Sequence, residues 1–166
     1  MRFEKVPFEE YKRAYEDAMG IDCDPALEEL LKLDWEHITL PVRATTGSAG
    51  YDFYLPCDSL FKPDCPTVIP TGVRAQIDSG FLMLLPRSGL GFKYGMRLVN
   101  TCGIVDQDYY FADNYGHIMA KIAVDEEVLL EQGTRFMQGI LVPFNIVDND
   151  APLKGTRVGG FGSTGI

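Results

Sequence analysis

The sequence predicts an all-β fold of the sandwich, jelly-roll or small-barrel type, fronted by a small helical segment. Three observations predict it. Past residue 37 the apolar runs are short and bounded by turns rich in Gly, Pro and Asp; the 166 residues hold 17 glycines and 10 prolines. Helical spacing of apolar residues is confined to the first 37 positions. No repeat or low-complexity linker divides the chain, and its length suits one domain with a core that needs no covalent staples.

Taken in order, residues 9–19 read as a polar helix with Glu9 and Arg13 at i,i+4 spacing. Asp24-Pro25 reads as an N-cap followed by proline at N1, opening a second helix through Leu33 with Leu27, Leu30 and Leu31 on one face. Residues 1–37 form a helical extension packed on the main body, with a partner-binding arm as the alternative. Strands follow at 38–42 and 51–55, with the bend Ser48-Ala-Gly50 between them. Further strands are expected at 67–70, 72–77 and 81–85, the last entered through the turn Asp78-Ser-Gly80. Residues 96–99, 118–124 and 136–144 complete the series, so the β domain spans 38–144. Residues 145–166 lose apolar periodicity and form a flexible C-terminal arm. Twenty-two residues at about 3.3 Å each reach roughly 70 Å, enough to cross onto a neighbouring subunit.

With 46% hydrophobic and 23% charged residues the composition is that of an ordinary globular chain. No apolar run approaches the length of about 18 residues that a spanning helix needs, and the charged N-terminus does not resemble a secretory signal. A cytoplasmic location, without a membrane partner, is expected. The net charge of −9 argues against a nucleic-acid partner, which needs a basic face. It leaves room for a small anion held by placed arginines, backbone amides and a divalent cation. Cys23, Cys57, Cys65 and Cys102 include no Cys-x-x-Cys pair, and His37 and His117 are the only histidines. That is poor material for a zinc site, and reduced thiols are expected.

Five short segments are dense in Gly, Asp, Arg and Ser: Ala49-Gly-Tyr-Asp52, Pro86-Arg-Ser-Gly-Leu90, Asn100 to Tyr109, Arg135-Phe-Met-Gln138, and the tail from Arg157. In the tail, Phe161 can stack on a flat ring, while Arg157, Ser163, Thr164 and glycine N–H groups can hold an anion. An aromatic face beside an anion cradle suggests a nucleotide. Each segment alone is weak. Pro-Arg-Ser-Gly also reads as a turn with a surface arginine, Asp106 and Asp108 as solvated carboxylates, Tyr109 as a core tyrosine, and Arg135 and Gln138 as edge-strand surface.

Together, in this order, the five segments resemble the ordered motifs of the trimeric dUTP pyrophosphatase (dUTPase) family. The resemblance runs from Ala44 to Ile166, and three segments carry it most specifically: Pro86-Arg-Ser-Gly-Leu90, Gly103-Ile-Val-Asp-Gln-Asp-Tyr109 and Gly159-Gly-Phe-Gly-Ser-Thr-Gly165. It implies a jelly-roll-like β-barrel assembled as a homotrimer, with the C-terminal arm exchanged between subunits and three active sites between chains. The implied reaction is hydrolysis of dUTP to dUMP and pyrophosphate, with Mg²⁺ on the triphosphate.

The resemblance also implies roles. Asp106 is the general base that activates water for attack on the α-phosphorus. Asn100 reads the uracil edge, together with backbone groups of Gly103, Ile104 and Val105. Tyr109 presses on the deoxyribose and excludes a 2′-hydroxyl. Arg87, Ser88 and Gly89 contact the phosphates, and Gln138 adds an amide donor. Arg157 neutralises the terminal phosphate, Phe161 stacks on uracil, and Gly162, Ser163 and Thr164 lie beside the phosphates. No residue ligates the metal directly; Asp52 has either a structural role or orders metal-bound water.

The chain departs from the family pattern in several places. Residues 110–115 intervene after Tyr109 and read as an inserted loop. Arg157 sits one residue closer to Phe161 than in many members, which leaves Lys154 as a substitute. Met137 and Gly139 replace small and branched residues in the fourth motif. The N-terminal extension is longer than in the shortest members. Two rival functions remain: a dUTP-binding sensor that docks a partner, and a dCTP deaminase-type relative. The second is disfavoured by the Gly-Ile-Val-Asp-x-Asp-Tyr hairpin.

Overall fold

A computed structural model of the chain describes residues 1–152. The chain opens with a strand rather than a helix: β1 (Arg2–Lys5) pairs antiparallel with β6 (Val73–Gln76), Arg2 opposite Gln76 and Lys5 opposite Val73. The helical extension expected over 1–37 thus opens with a short strand ahead of its two helices. Four residues offer too short a pattern to register as period two, and pairing comes from the long-range partner. Phe3 from β1 packs edge-on against Tyr51 and Phe53, at 5.4 and 5.6 Å between ring centroids.

The two helices follow as read. The first, α1 (Phe8–Met19), ends on Gly20, whose left-handed φ of 67° lets its N–H return to Glu16 O. The second, α2 (Pro25–His37), starts where Asp24 Oδ1 accepts from Leu27 N–H at 2.8 Å. It runs one turn past Leu33. Its inward stripe is Leu27, Leu31 and Trp35, spaced at i,i+4, while Leu30 is 59% exposed. The expected face is therefore rotated by one position. Trp35 Nε1 donates to Val6 O at 2.8 Å and fastens α2 to the segment behind β1.

All β pairing is antiparallel. One sheet has the order β2-β3-β12-β7-β9, from β2 (Val42–Arg43), β3 (Gly50–Tyr54), β12 (Arg135–Val142), β7 (Phe81–Pro86) and β9 (Gly103–Val105). A second has β5 (Thr67–Pro70), β10 (Met119–Ala123) and β8 (Arg97–Leu98), with β10 in the middle. A two-stranded sheet joins β4 (Ser59–Phe61) to β11 (Val128–Leu130). Phe53, Leu82, Leu84 and Phe136 of the large sheet share one core with Ile69, Leu98 and Ile122 of the second. The all-β class stands, but among the described residues no sheet closes on itself. The expected barrel closure is replaced by separate antiparallel sheets around one core.

β4, β9 and β11 are three-residue strands that a sequence window does not resolve. So is the helix α3 (Ser88–Tyr94), where Gly89 and Gly91 mask the helical pattern. It ends on Gly95 at φ 62°, whose N–H returns to Gly91 O.

Candidate active site

The register of the large sheet builds the first part of the site. Asp52 on β3 lies opposite Gln138 on β12, and Gln138 lies opposite Leu85 on β7. Two residues past Leu85 the chain leaves the strand at Arg87, whose N–H is held by Phe136 O at 3.1 Å. Asp52 is 2% exposed, so an unpaired charge there would be costly. It is paired twice. Arg87 Nη1 meets Oδ1 at 2.5 Å, and Arg135 Nη1 meets Oδ2 at 3.3 Å. One buried carboxylate thus gathers two arginines at one end of the sheet.

Beside them, Gln138 projects over Gly50, where any side chain would occupy its amide group. Glycine at 50 makes the room Gln138 needs. Ser88 and Gly89 open α3 on the exposed side of Arg87. The structure therefore brings together Asp52, Arg87, Ser88, Gly89, Arg135 and Gln138. Arg135 is both solvent-exposed, as the edge-strand reading has it, and tied to the buried carboxylate of Asp52. Of the two readings of Asp52, its surroundings fit the structural one.

The second part lies on β9, the last strand of the sheet. Thr101 turns the chain into it with a left-handed φ of 68°, a strained geometry for a β-branched residue. Asn100 is exposed, Gly103 is buried against Leu84, and Ile104 alternates outward between buried neighbours Gly103 and Val105. As an edge strand, β9 turns part of its backbone N–H and C=O groups away from β7, where they can read a flat polar ligand.

Asp106 follows at the N-cap of a 3₁₀ turn, Gln107–Phe111, with its carbonyl accepting from Tyr109 N–H at 3.3 Å. The Asp106 side chain is exposed. Gln107 Nε2 donates to Gly80 O at 3.2 Å. Tyr109 is 2% exposed, donates from its hydroxyl to His117 O at 2.6 Å and accepts from Asn114 Nδ2 at 2.8 Å. The tyrosine expected at the sugar is, within the protomer, a core post that fixes this turn from below.

The two parts lie apart on one chain. Leu84 pairs with Gly103 and Leu82 with Val105, so Asp106 falls level with Phe81. Arg87 lies six residues further along β7, about 20 Å away at about 3.3 Å per residue. The remaining expected residues, Lys154, Arg157, Phe161, Gly162, Ser163 and Thr164, lie outside the described residues.

Among the described residues no group of three or more His, Cys, Asp or Glu side chains could hold a metal ion. Both oxygens of Asp52 are engaged by arginines, so this donor set does not fit a protein-held Mg²⁺. No described helix is long and apolar enough to cross a membrane.

Fold and site define an antiparallel β protein with two arginines gathered on a buried carboxylate at one sheet end and an exposed aspartate capping a 3₁₀ turn at the other. The chain belongs to the dUTPase family, whose model matches residues 36–165. A deoxyuridine 5′-triphosphate nucleotidohydrolase from Lactococcus lactis is 41% identical over 133 residues, covering 77% of this chain and 89% of the relative. One from Dinoroseobacter shibae is 38% identical, covering 82% and 96%. The crystal structure of the Streptococcus mutans dUTPase superposes with a TM-score of 0.60 at 38% identity, over 66% of this chain and 88% of that one. A dUTPase variant from phage phi11 of S. aureus, described with a structural Mg(II) ion, has a TM-score of 0.59 over 72% and 92% of the chains; at 20% identity it bears on the fold alone.

Proposed function

We propose that this chain hydrolyses dUTP to dUMP and pyrophosphate, on sites shared between the copies of a homotrimer. Family membership supports the reaction. The observation that carries the shared site is the distance of about 20 Å between Arg87 and Asp106 along one sheet. The phosphates held at Arg87 and the water activated at Asp106 must act on one nucleotide, and on this reading a neighbouring copy supplies the missing half.

In this mechanism Arg87, Ser88, Gly89 and Gln138 hold the triphosphate, with Arg87 aimed by Asp52. Asn100 and the outward backbone groups of Gly103, Ile104 and Val105 read uracil. A donor–acceptor pattern there separates uracil from cytosine, whose 4-substituents have opposite polarity. The deoxyribose lies against the turn anchored by Tyr109. Asp106, exposed at the head of that turn, takes the proton from the attacking water. Mg²⁺ enters as part of the substrate, on phosphate oxygens and waters, where it offsets charge on the leaving group. From the resemblance, the C-terminal segment of a neighbouring copy supplies Arg157 or Lys154 to the phosphates, Phe161 to the uracil face, and Gly162, Ser163 and Thr164 beside them.

The test offers dUTP, dTTP, dCTP and UTP separately with Mg²⁺ and measures pyrophosphate. A strong preference for dUTP is expected. Equal rates, or ammonia release from dCTP, overturn the substrate assignment. Asp106→Asn should still bind nucleotide and lose turnover by roughly two to four orders of magnitude.

A further inference from the structure

The first 35 residues lie outside the family match, yet their first strand reaches the turn that carries Asp106. Glu4, on β1, is opposite Arg74 on β6. Its Oε2 accepts from Arg74 Nη2 at 2.7 Å and from the Tyr110 hydroxyl at 2.7 Å. Its Oε1 meets Arg2 Nε at 2.8 Å. The Arg74 guanidinium lies 4.4 Å over the Tyr110 ring, so Tyr110 is gripped at both face and tip. The Tyr110 hydrogen bond, then Arg74 and Arg2, hold the Glu4 carboxyl below its usual value against the opposing effect of burial, and it stays ionised as an acceptor.

Tyr110 stands four residues after Asp106 on the same 3₁₀ turn. Such turns have poor internal hydrogen-bond geometry, so side-chain ties decide where they sit. Gln107 ties the turn to Gly80, Tyr109 ties it to His117, and Tyr110 ties it to β1. The first two ties stay within the β body. The third depends on the N-terminal strand.

We infer that Glu4 is a positioning residue for Asp106, acting through Tyr110, so that the N-terminal strand sets the placement of the general base. This rests on the assignment of Asp106 as base. A displacement of the order of 1 Å at a reacting group costs up to about 100-fold in rate, and loosening one of several ties should cost less.

The experiment uses the full chain with Glu4→Ala, Glu4→Gln, Tyr110→Phe and Arg2→Ala. Each is assayed for dUTP turnover, and free protein is assayed for amide hydrogen exchange at residues 107–111. Tyr110→Phe keeps the ring on Arg74 and removes only the hydroxyl, so folding is retained. Glu4→Ala and Tyr110→Phe should lower kcat about tenfold with KM within twofold, and should speed exchange across the turn. Glu4→Gln keeps an acceptor for Tyr110, Arg2→Ala leaves that bond untouched, and both should behave as the parent. Folded Tyr110→Phe with parental kcat, or with parental exchange at 107–111, overturns the inference. If the parent chain itself does not turn over dUTP, the proposed function fails, and the exchange data still decide whether the tie exists.

Discussion

Asp52 and Arg87 are 35 residues apart in sequence and meet at 2.5 Å across the central strand of the large sheet. The carboxylate is buried and the Arg87 side chain is 32% exposed, so the pair has an inside and an outside. Asp52 fixes one edge of the guanidinium and leaves the rest towards solvent. Arg135, 47% exposed, uses the other carboxylate oxygen.

Asp52→Asn should therefore damage stability and substrate binding together. The amide keeps the volume but leaves two guanidinium groups side by side without a counter-charge. The cost should be about 2 kcal/mol, below the roughly 3–5 kcal/mol of a fully buried pair because both arginines reach solvent. KM for dUTP should rise about tenfold, equivalent to about 1.4 kcal/mol of lost orientation. Urea denaturation and steady-state kinetics measure the two effects. A KM within twofold of the parent would show that Arg87 needs no such support.

How much of this was legible beforehand follows from where the information lies. The α2 cap was readable because Asp24 and Pro25 are adjacent and act within one turn. The motif residues were readable because the turns bearing Arg87 and Asp106 are local. The Asp52–Arg87 pair was not, because it depends on β3 and β7 flanking β12, which is a matter of strand order. Residues 110–115 read as a loop, but Tyr110 lies within a 3₁₀ turn and docks on Glu4 and Arg74, partners known only once β1 pairs with β6. A distant anchor leaves no periodic trace.

A buried histidine gives the fold a pH dependence of definite sign. Gly72 N–H donates to His117 Nε2 at 2.8 Å, so the neutral ring carries its proton on Nδ1, which faces Glu10 Oε1 at 3.3 Å. Glu10 is itself held by Arg13 at 2.6 Å, and the Tyr11 ring packs at 6.4 Å. Burial pushes the His117 pKa below 6.5, and Arg13 adds to this while Glu10 opposes it. The contact with Glu10 is thus a hydrogen bond from a neutral ring. A folded-state pKa below the unfolded one means that the unfolded chain binds more protons beneath about pH 6.5. The stabilisation is complete above that pH and is lost as pH falls, by at most about 1.4 kcal/mol per pH unit. His117→Gln keeps an acceptor for Gly72 and cannot titrate. Thermal melts between pH 7.5 and 5.5 should fall more steeply in the parent than in this variant; parallel curves would place the titration elsewhere.

The turn before β7 depends on a glycine for two separable reasons. Gly80 has a φ of 77°, and a methyl group there would strike the backbone carbonyl of Val142. Its own carbonyl accepts from Gln107 beside Asp106. Gly133 has the same φ of 77° with open space around it. Gly133→Ala should therefore lose only the left-handed preference, about 1 kcal/mol. Gly80→Ala should lose at least about 1 kcal/mol more, since backbone rather than a flexible side chain must yield. Urea titration of both reads the difference directly, and equal losses would show that the Val142 segment moves aside freely.

The strongest prediction concerns the division of the site between chains. On the proposed roles, Arg87→Gln removes a phosphate contact and Asp106→Asn removes the base, so each variant alone should lose nearly all activity. Suppose the two are mixed in equal amounts and their subunits are allowed to exchange. If each site draws Arg87 from one chain and Asp106 from another, about a quarter of the sites regain both intact residues. Activity should then return to about a quarter of the parent's. If both residues served one site within a single chain, every chain in the mixture would carry a defect and no activity could return. The separation of about 20 Å along β7 and β9 is the reason to expect the first outcome. A mixture that stays inactive after demonstrated exchange would mean that one chain folds its phosphate site and its base together by a route other than the β7–β9 pairing.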